Sequence, residues 1–125
     1  MTKRMAAAWR ALARLREATS KESLSDIERD GMIRRFGLSF DLLWKCGKEY
    51  LRDHEGLEAA SPKKVIRLLR EVGLFDMAET EQFLLMADDR NMTARTYDEE
   101  LAKKMEVRIR RYEELMRTWY LRMGE

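Results

Sequence analysis

Cysteine, proline and histidine each occur once in the 125 residues, and glycine six times. A single cysteine, Cys46, excludes an internal disulfide framework and fits a reducing compartment. Scarce proline and glycine leave few turns, and β-branched residues are few, so a sheet protein is not expected. No apolar run approaches the ~20 residues that cross a membrane. The basic start, Met1 to Trp9, soon meets Arg10, Arg14 and Arg16, so no signal-peptide core forms. Charge of one sign is lacking too: 25 basic against 23 acidic residues leave a formal +2. Bulk electrostatics therefore do not mark a nucleic-acid binder, although a local basic site remains open. With one histidine, no HxxxH, CxxC or paired-carboxylate motif and no glycine-rich phosphate loop, neither a metal nor a cofactor is expected. The expectation is a soluble cytoplasmic protein of one domain, residues 1–125.

What remains is 45% hydrophobic and 38% charged, a mixture suited to amphipathic helices. Met5, Ala8/Trp9, Leu12 and Leu15 recur at three and four, predicting a first helix over 2–19. Ser25-Asp26-Ile27-Glu28 is a capping-box pattern opening a second helix to about Arg52, with Ile27, Ile33, Phe36, Phe40, Leu43/Trp44, Tyr50 and Leu51 inward. Gly31, Gly37 and Gly47 lie inside it, each costing about 1 kcal/mol relative to alanine. Together they suggest close helix–helix approach or a dimer seam. After a loop at 53–60, Ser61-Pro62 reads as N-cap and first-turn proline of a third helix that ends at Gly73. A fourth runs from about Met77 to Asp89, with Phe83, Leu84 and Met86 inward. The last opens at the capping box Thr96-Tyr97-Asp98-Glu99 and carries Leu101, Met105, Ile109, Tyr112, Met116, Trp119 and Met123 on one face. The fold expected is all-α, an up-and-down bundle of about five helices.

The polar stretch Asp88 to Glu99, between the fourth and fifth helices, gathers carboxylates, Arg90, Asn91, Arg95 and Tyr97 without an apolar run. Its plainest interpretation is a connector in which Asp88 and Asp89 pair with Arg90 or Arg95, Asn91 ends one helix and Thr96 caps the next. Tyr97 at a first helical turn is ordinarily half-buried packing. Cys46 reads as a small core residue, His54 as a solvated side chain, and Arg108, Arg110 and Arg111 as a solvated face unless they share a side with Arg90.

Three segments carry a resemblance. Arg29 to Phe36 followed by Phe40 to Lys45, then Ser61 to Arg67, then Arg90 to Glu99, resemble in order the RD…I.RF…F.L.WK, SPR.VIR and RN.T.HTYDE stretches of the nucleotidyltransferase substrate-binding proteins. They span most of the chain. That family lies in the HEPN superfamily of small helical bundles, so the resemblance implies a homodimer paired with a minimal nucleotidyltransferase. It further implies a toxin–antitoxin pair, with this chain as an RNA-cleaving toxin and the nucleotidyltransferase as antitoxin. Carried over by position, Arg90 and Asn91 match the motif, and Tyr97 matches the residue that receives a nucleotide. Arg95 stands where the motif has histidine. A histidine exchanges protons near neutrality, whereas a guanidinium stays protonated, so Arg95 can hold a phosphate but cannot act as base or acid. RNA cleavage by this sequence is accordingly expected to be impaired. The alternative is a non-catalytic nucleotide- or substrate-binding subunit of a nucleotidyltransferase complex, and a plain helical interaction module is a third reading.

Overall fold

A computed structural model of the chain describes residues 2–95 and 98–124, with the side chain of Arg95 outside it. Among these residues there are five α-helices and no strand: α1 (Lys3–Thr19), α2 (Asp26–Tyr50), α3 (Pro62–Glu71), α4 (Met77–Arg95) and α5 (Glu99–Met123). The all-α bundle expected from composition and periodicity is the fold. None of these helices is long and apolar enough to cross a membrane.

Local chemistry sets most boundaries. Thr2 caps α1 through its hydroxyl, which accepts from the Met5 amide at 3.0 Å. The box at α2 closes both ways: Ser25 Oγ accepts from Glu28 N at 3.2 Å, and Glu28 Oε1 from Ser25 N at 2.8 Å. Ser61 caps α3 ahead of Pro62. Gly73, at φ +86°, lets the Leu74 amide reach back to the Leu69 carbonyl at 2.9 Å and ends that helix. Before α4, Asp76 and Glu79 form a second reciprocal box, at 2.7 and 2.9 Å, that the sequence reading did not single out.

Four boundaries or faces differ from expectation. The second helix passes at Tyr50 into a π-helical turn, Leu51–Glu55, that closes on Gly56 at φ +67°. Ile27 is 83% exposed, because it lies five positions before buried Met32, about 140° around the helix. α4 does not stop at Asp89 but continues to Arg95, so residues 88–95 lie on a helix and not in a connector. Nothing in 90–95 breaks a helix, and contacts from Asp89 and Arg90 to the neighbouring helices hold the extension in place. Finally, α5 is capped by Asp98, whose Oδ1 accepts from Glu100 N at 2.8 Å. The box expected from Thr96 falls on a residue outside the described ones.

The core is built around α2, which packs against all four other helices. Leu12, Phe36, Phe40, Leu43, Ile66, Met105, Ile109, Met116 and Trp119 are all buried. Phe75, Phe83 and Trp119 form a ring cluster with centroids 4.5 to 5.3 Å apart, joining the α3–α4 turn to α5. Of the three glycines in α2, two mark close approach within this bundle. A Cβ on Gly47 would come within 2.8 Å of Val65 Cγ1, and one on Gly37 within 2.8 Å of the Arg90 guanidinium; one on Gly31 would meet nothing within 4 Å.

Candidate functional site

Successive residues of a helix point about 100° apart, so the four polar residues opening the last two turns of α4 look in four directions. Asp88 reaches outward to Lys63 of α3 at 2.6 Å. Asp89 points into the bundle and is 1% exposed. There its Oδ2 accepts from the Tyr112 hydroxyl at 2.5 Å and its Oδ1 from Arg108 Nη1 at 2.8 Å. Arg90 turns to α2 and donates from Nε and Nη2 to the two carboxylate oxygens of Asp41, at 3.2 and 2.8 Å. Asn91 is exposed. The pairing expected between these carboxylates and Arg90 is thus replaced by pairing across helices, since neighbours along a helix do not face one another. The Arg95 side chain, the other partner expected, lies outside the described residues.

Burial of Tyr112, and secondarily its bond to Asp89, holds the phenol well above its ordinary pKa, so it stays a donor. The basic cluster of α5 is not a merely solvated face. Arg108 neutralises Asp89, and Arg110 donates to the Thr19 carbonyl at 2.8 Å and to Glu106 at 3.2 Å. Glu106 works against its partial burial: hydrogen bonds from Arg29 and Arg110 hold its pKa below the usual value.

A cavity of about 510 Å³ opens where the end of α4 meets α2 and α5. Asp30, Ile33 and Arg34 of α2, Arg90, Thr93 and Ala94 of α4, the α5 cap Asp98, and Leu101, Ala102 and Met105 of α5 line it. Ile33, Leu101, Ala102 and Met105 make an apolar floor, while Arg34 and Arg90 supply positive charge to the wall. The described lining contains no histidine or cysteine, hence no side chain whose ordinary pKa lies near neutrality. His54, in the turn after α2, lies against Tyr50 in a tilted pair with centroids 4.5 Å apart, roughly 20 Å from Asp41 at helical rise. Cys46 is buried, and burial pushes its thiol up to about 11. Among the described residues no three histidine, cysteine or acidic groups converge as a metal site.

Of the residues singled out from sequence, Arg90 lines the cavity and Asn91 lies exposed beside it on α4. The Arg95 side chain and Tyr97 lie outside the described residues. Sequence reasoning missed Asp41 and Arg34 as site residues, and missed that Asp89 pairs with Tyr112 and Arg108. Asp41 was legible only as the residue four after Gly37, which places both on one side of α2.

Together the helices and the cleft define a small all-α module with a mixed-charge pocket at one helix end. The family model described as nucleotidyltransferase substrate binding protein like matches residues 3–125. The chain belongs to that family. It is also similar to a protein of Thermus thermophilus known from its crystal structure, with 46% sequence identity and a TM-score of 0.91 over 94% of this chain and 99% of that one. Comparison with functionally curated proteins gave no match.

Proposed function

We propose that this chain is the binding partner of a nucleotidyltransferase and that the cavity beside Arg90 receives a phosphate-bearing part of that enzyme's substrate. The observation that carries this reading is the make-up of the cavity wall. Arg34 and Arg90 offer the donors that phosphate takes, beside the carboxylates of Asp30 and Asp98, the floor is apolar, and no described lining group exchanges a proton readily near pH 7. Such a site holds an anion better than it turns one over. Membership of the family supports the enzyme as partner.

A second reading keeps the HEPN-type toxin: a homodimer that cleaves RNA through Arg90 and Asn91 and is silenced by its nucleotidyltransferase antitoxin attaching a nucleotide to Tyr97. What favours it is the arrangement of Arg90 and Asn91 near the accessible end of α4. Arg95 at the position of the motif histidine weighs against turnover, because a guanidinium stays protonated and cannot take the proton that histidine would.

Both readings are tested by purifying the chain with its nucleotidyltransferase, assaying labelled RNA with the unaltered chain, Arg90→Ala and Arg95→His, and weighing Tyr97-containing peptides after incubation with nucleoside triphosphates and magnesium. A stable complex without RNA cleavage is expected. Cleavage by the unaltered chain that Arg90→Ala abolishes would establish the nuclease instead. Failure to form any complex would remove the enzyme as partner.

A further inference from the structure

The Arg90 guanidinium is held on two sides. Its Nε–Nη2 edge meets both oxygens of Asp41, at 3.2 and 2.8 Å. Its Cζ and Nη1 lie so close to α2 that a Cβ on Gly37 would come within 2.8 Å of each. The fork therefore lies flat on helix backbone that only glycine leaves bare, and α2 accepts a residue of poor helix propensity there. Gly37 and Asp41, one turn apart, make floor and clamp. Arg90 belongs to the wall of the 510 Å³ cavity, whereas Asp41 does not line it. Among the described residues Nη1 has no hydrogen-bond partner.

A carboxylate and a phosphate present the same pair of oxygens to an arginine fork, so the position Asp41 now fills is one that phosphate oxygens fit. We propose that Gly37 and Arg90 form a phosphate seat of which Asp41 is the internal occupant, displaced when a phosphate-bearing ligand enters the neighbouring cavity. This rests on the substrate-binding reading above and adds how the site selects. The Asp41 side chain is 38% exposed and Arg90's 26%, so the carboxylate can swing into water while the arginine stays against the helix. A phosphate dianion attracts the fork more strongly than a singly charged carboxylate does, and Arg34 on the same wall adds a second cation that works against the carboxylates of Asp30 and Asp98 there. A ligand offering only one carboxylate gains nothing by the exchange. Asp41 thus sets the minimum charge that the seat accepts.

The test is calorimetric titration of the full chain with inorganic pyrophosphate, using acetate as the carboxylate control. Asp41→Asn, which keeps the shape and removes the charge, is expected to bind pyrophosphate about tenfold more tightly than the unaltered chain, with the gain shrinking as salt is raised. Adding Gly37→Ala to Asp41→Asn is expected to cancel the gain, because the new methyl unseats the guanidinium. Asp41→Ser serves as a second uncharged variant should the asparagine chain fold poorly. Equal or weaker pyrophosphate binding in the uncharged variants, or a gain that survives Gly37→Ala, would overturn the seat. Co-purification with the nucleotidyltransferase separates the two claims: loss of the seat with the complex intact leaves the partner reading standing. Loss of the complex with the tenfold gain intact refutes the partner alone.

Discussion

Tyr112→Phe would remove a single oxygen from the centre of the bundle. The phenol and Asp89 are 0% and 1% exposed, and the bond between them measures 2.5 Å. A hydrogen bond to a charged group contributes about 1.5–3 kcal/mol, and a buried acceptor left without its donor loses toward the upper end. Arg108 still holds the other carboxylate oxygen, which limits the damage. The expected loss is therefore about 2–3 kcal/mol. For a chain of this size that lowers the melting temperature by roughly 10 °C. Urea unfolding of the two proteins gives the difference directly, provided the m-values agree. Pairing Tyr112→Phe with Asp89→Asn in a double-mutant cycle would show coupling between the two sites. A loss below about 0.5 kcal/mol would refute the reasoning, since it would mean that Asp89 finds an equivalent donor elsewhere. Alkali gives a further check. The phenol's pKa is raised on folding, so its contribution is fully present below the unfolded value near 10 and is lost as pH rises beyond it. That alkaline loss should be smaller in Tyr112→Phe.

The glycines of α2 divide by what surrounds them. Gly31→Ala is expected to stabilise by about 0.5–1 kcal/mol, since nothing lies within 4 Å of the added methyl. Gly47→Ala should destabilise by about 1–2 kcal/mol despite better propensity, because Val65, Trp119 and Leu69 lie 2.8 to 3.2 Å from that methyl and are fully buried; equal denaturation midpoints for the two variants would contradict this. Acid should weaken the fold in a defined window. Lys21 and the Ser25 cap hold Glu28 down to about 2, and Arg122 holds Glu79 below its ordinary value. Their contributions are present above the unfolded value near 4.5 and are lost as pH falls below it, so a melting temperature unchanged between pH 5 and 3 would exclude these ion pairs.

Much of the helical outline could be read from sequence because its causes are local. Ser25 with Glu28, Ser61 with Pro62, and Gly73 act on backbone groups within one turn. The apolar face of α5 from Met105 to Met123 was equally legible, since a period of 3.6 is a property of the chain itself. Three segments, from Arg29 to Glu99, also pointed to the family that the model match then established. Where α4 ends and whom its polar residues meet were decided elsewhere. Asp88, Asp89 and Arg90 are consecutive, yet they bond to α3, α5 and α2 in turn. Adjacent helical residues cannot face one another, so each takes whatever the packed neighbour presents at its own angle. Composition records that carboxylates and guanidiniums are present in nearly equal number. Only helices packed at close distance choose which of them touch, and that choice places Arg90 over Gly37 at the edge of the cavity.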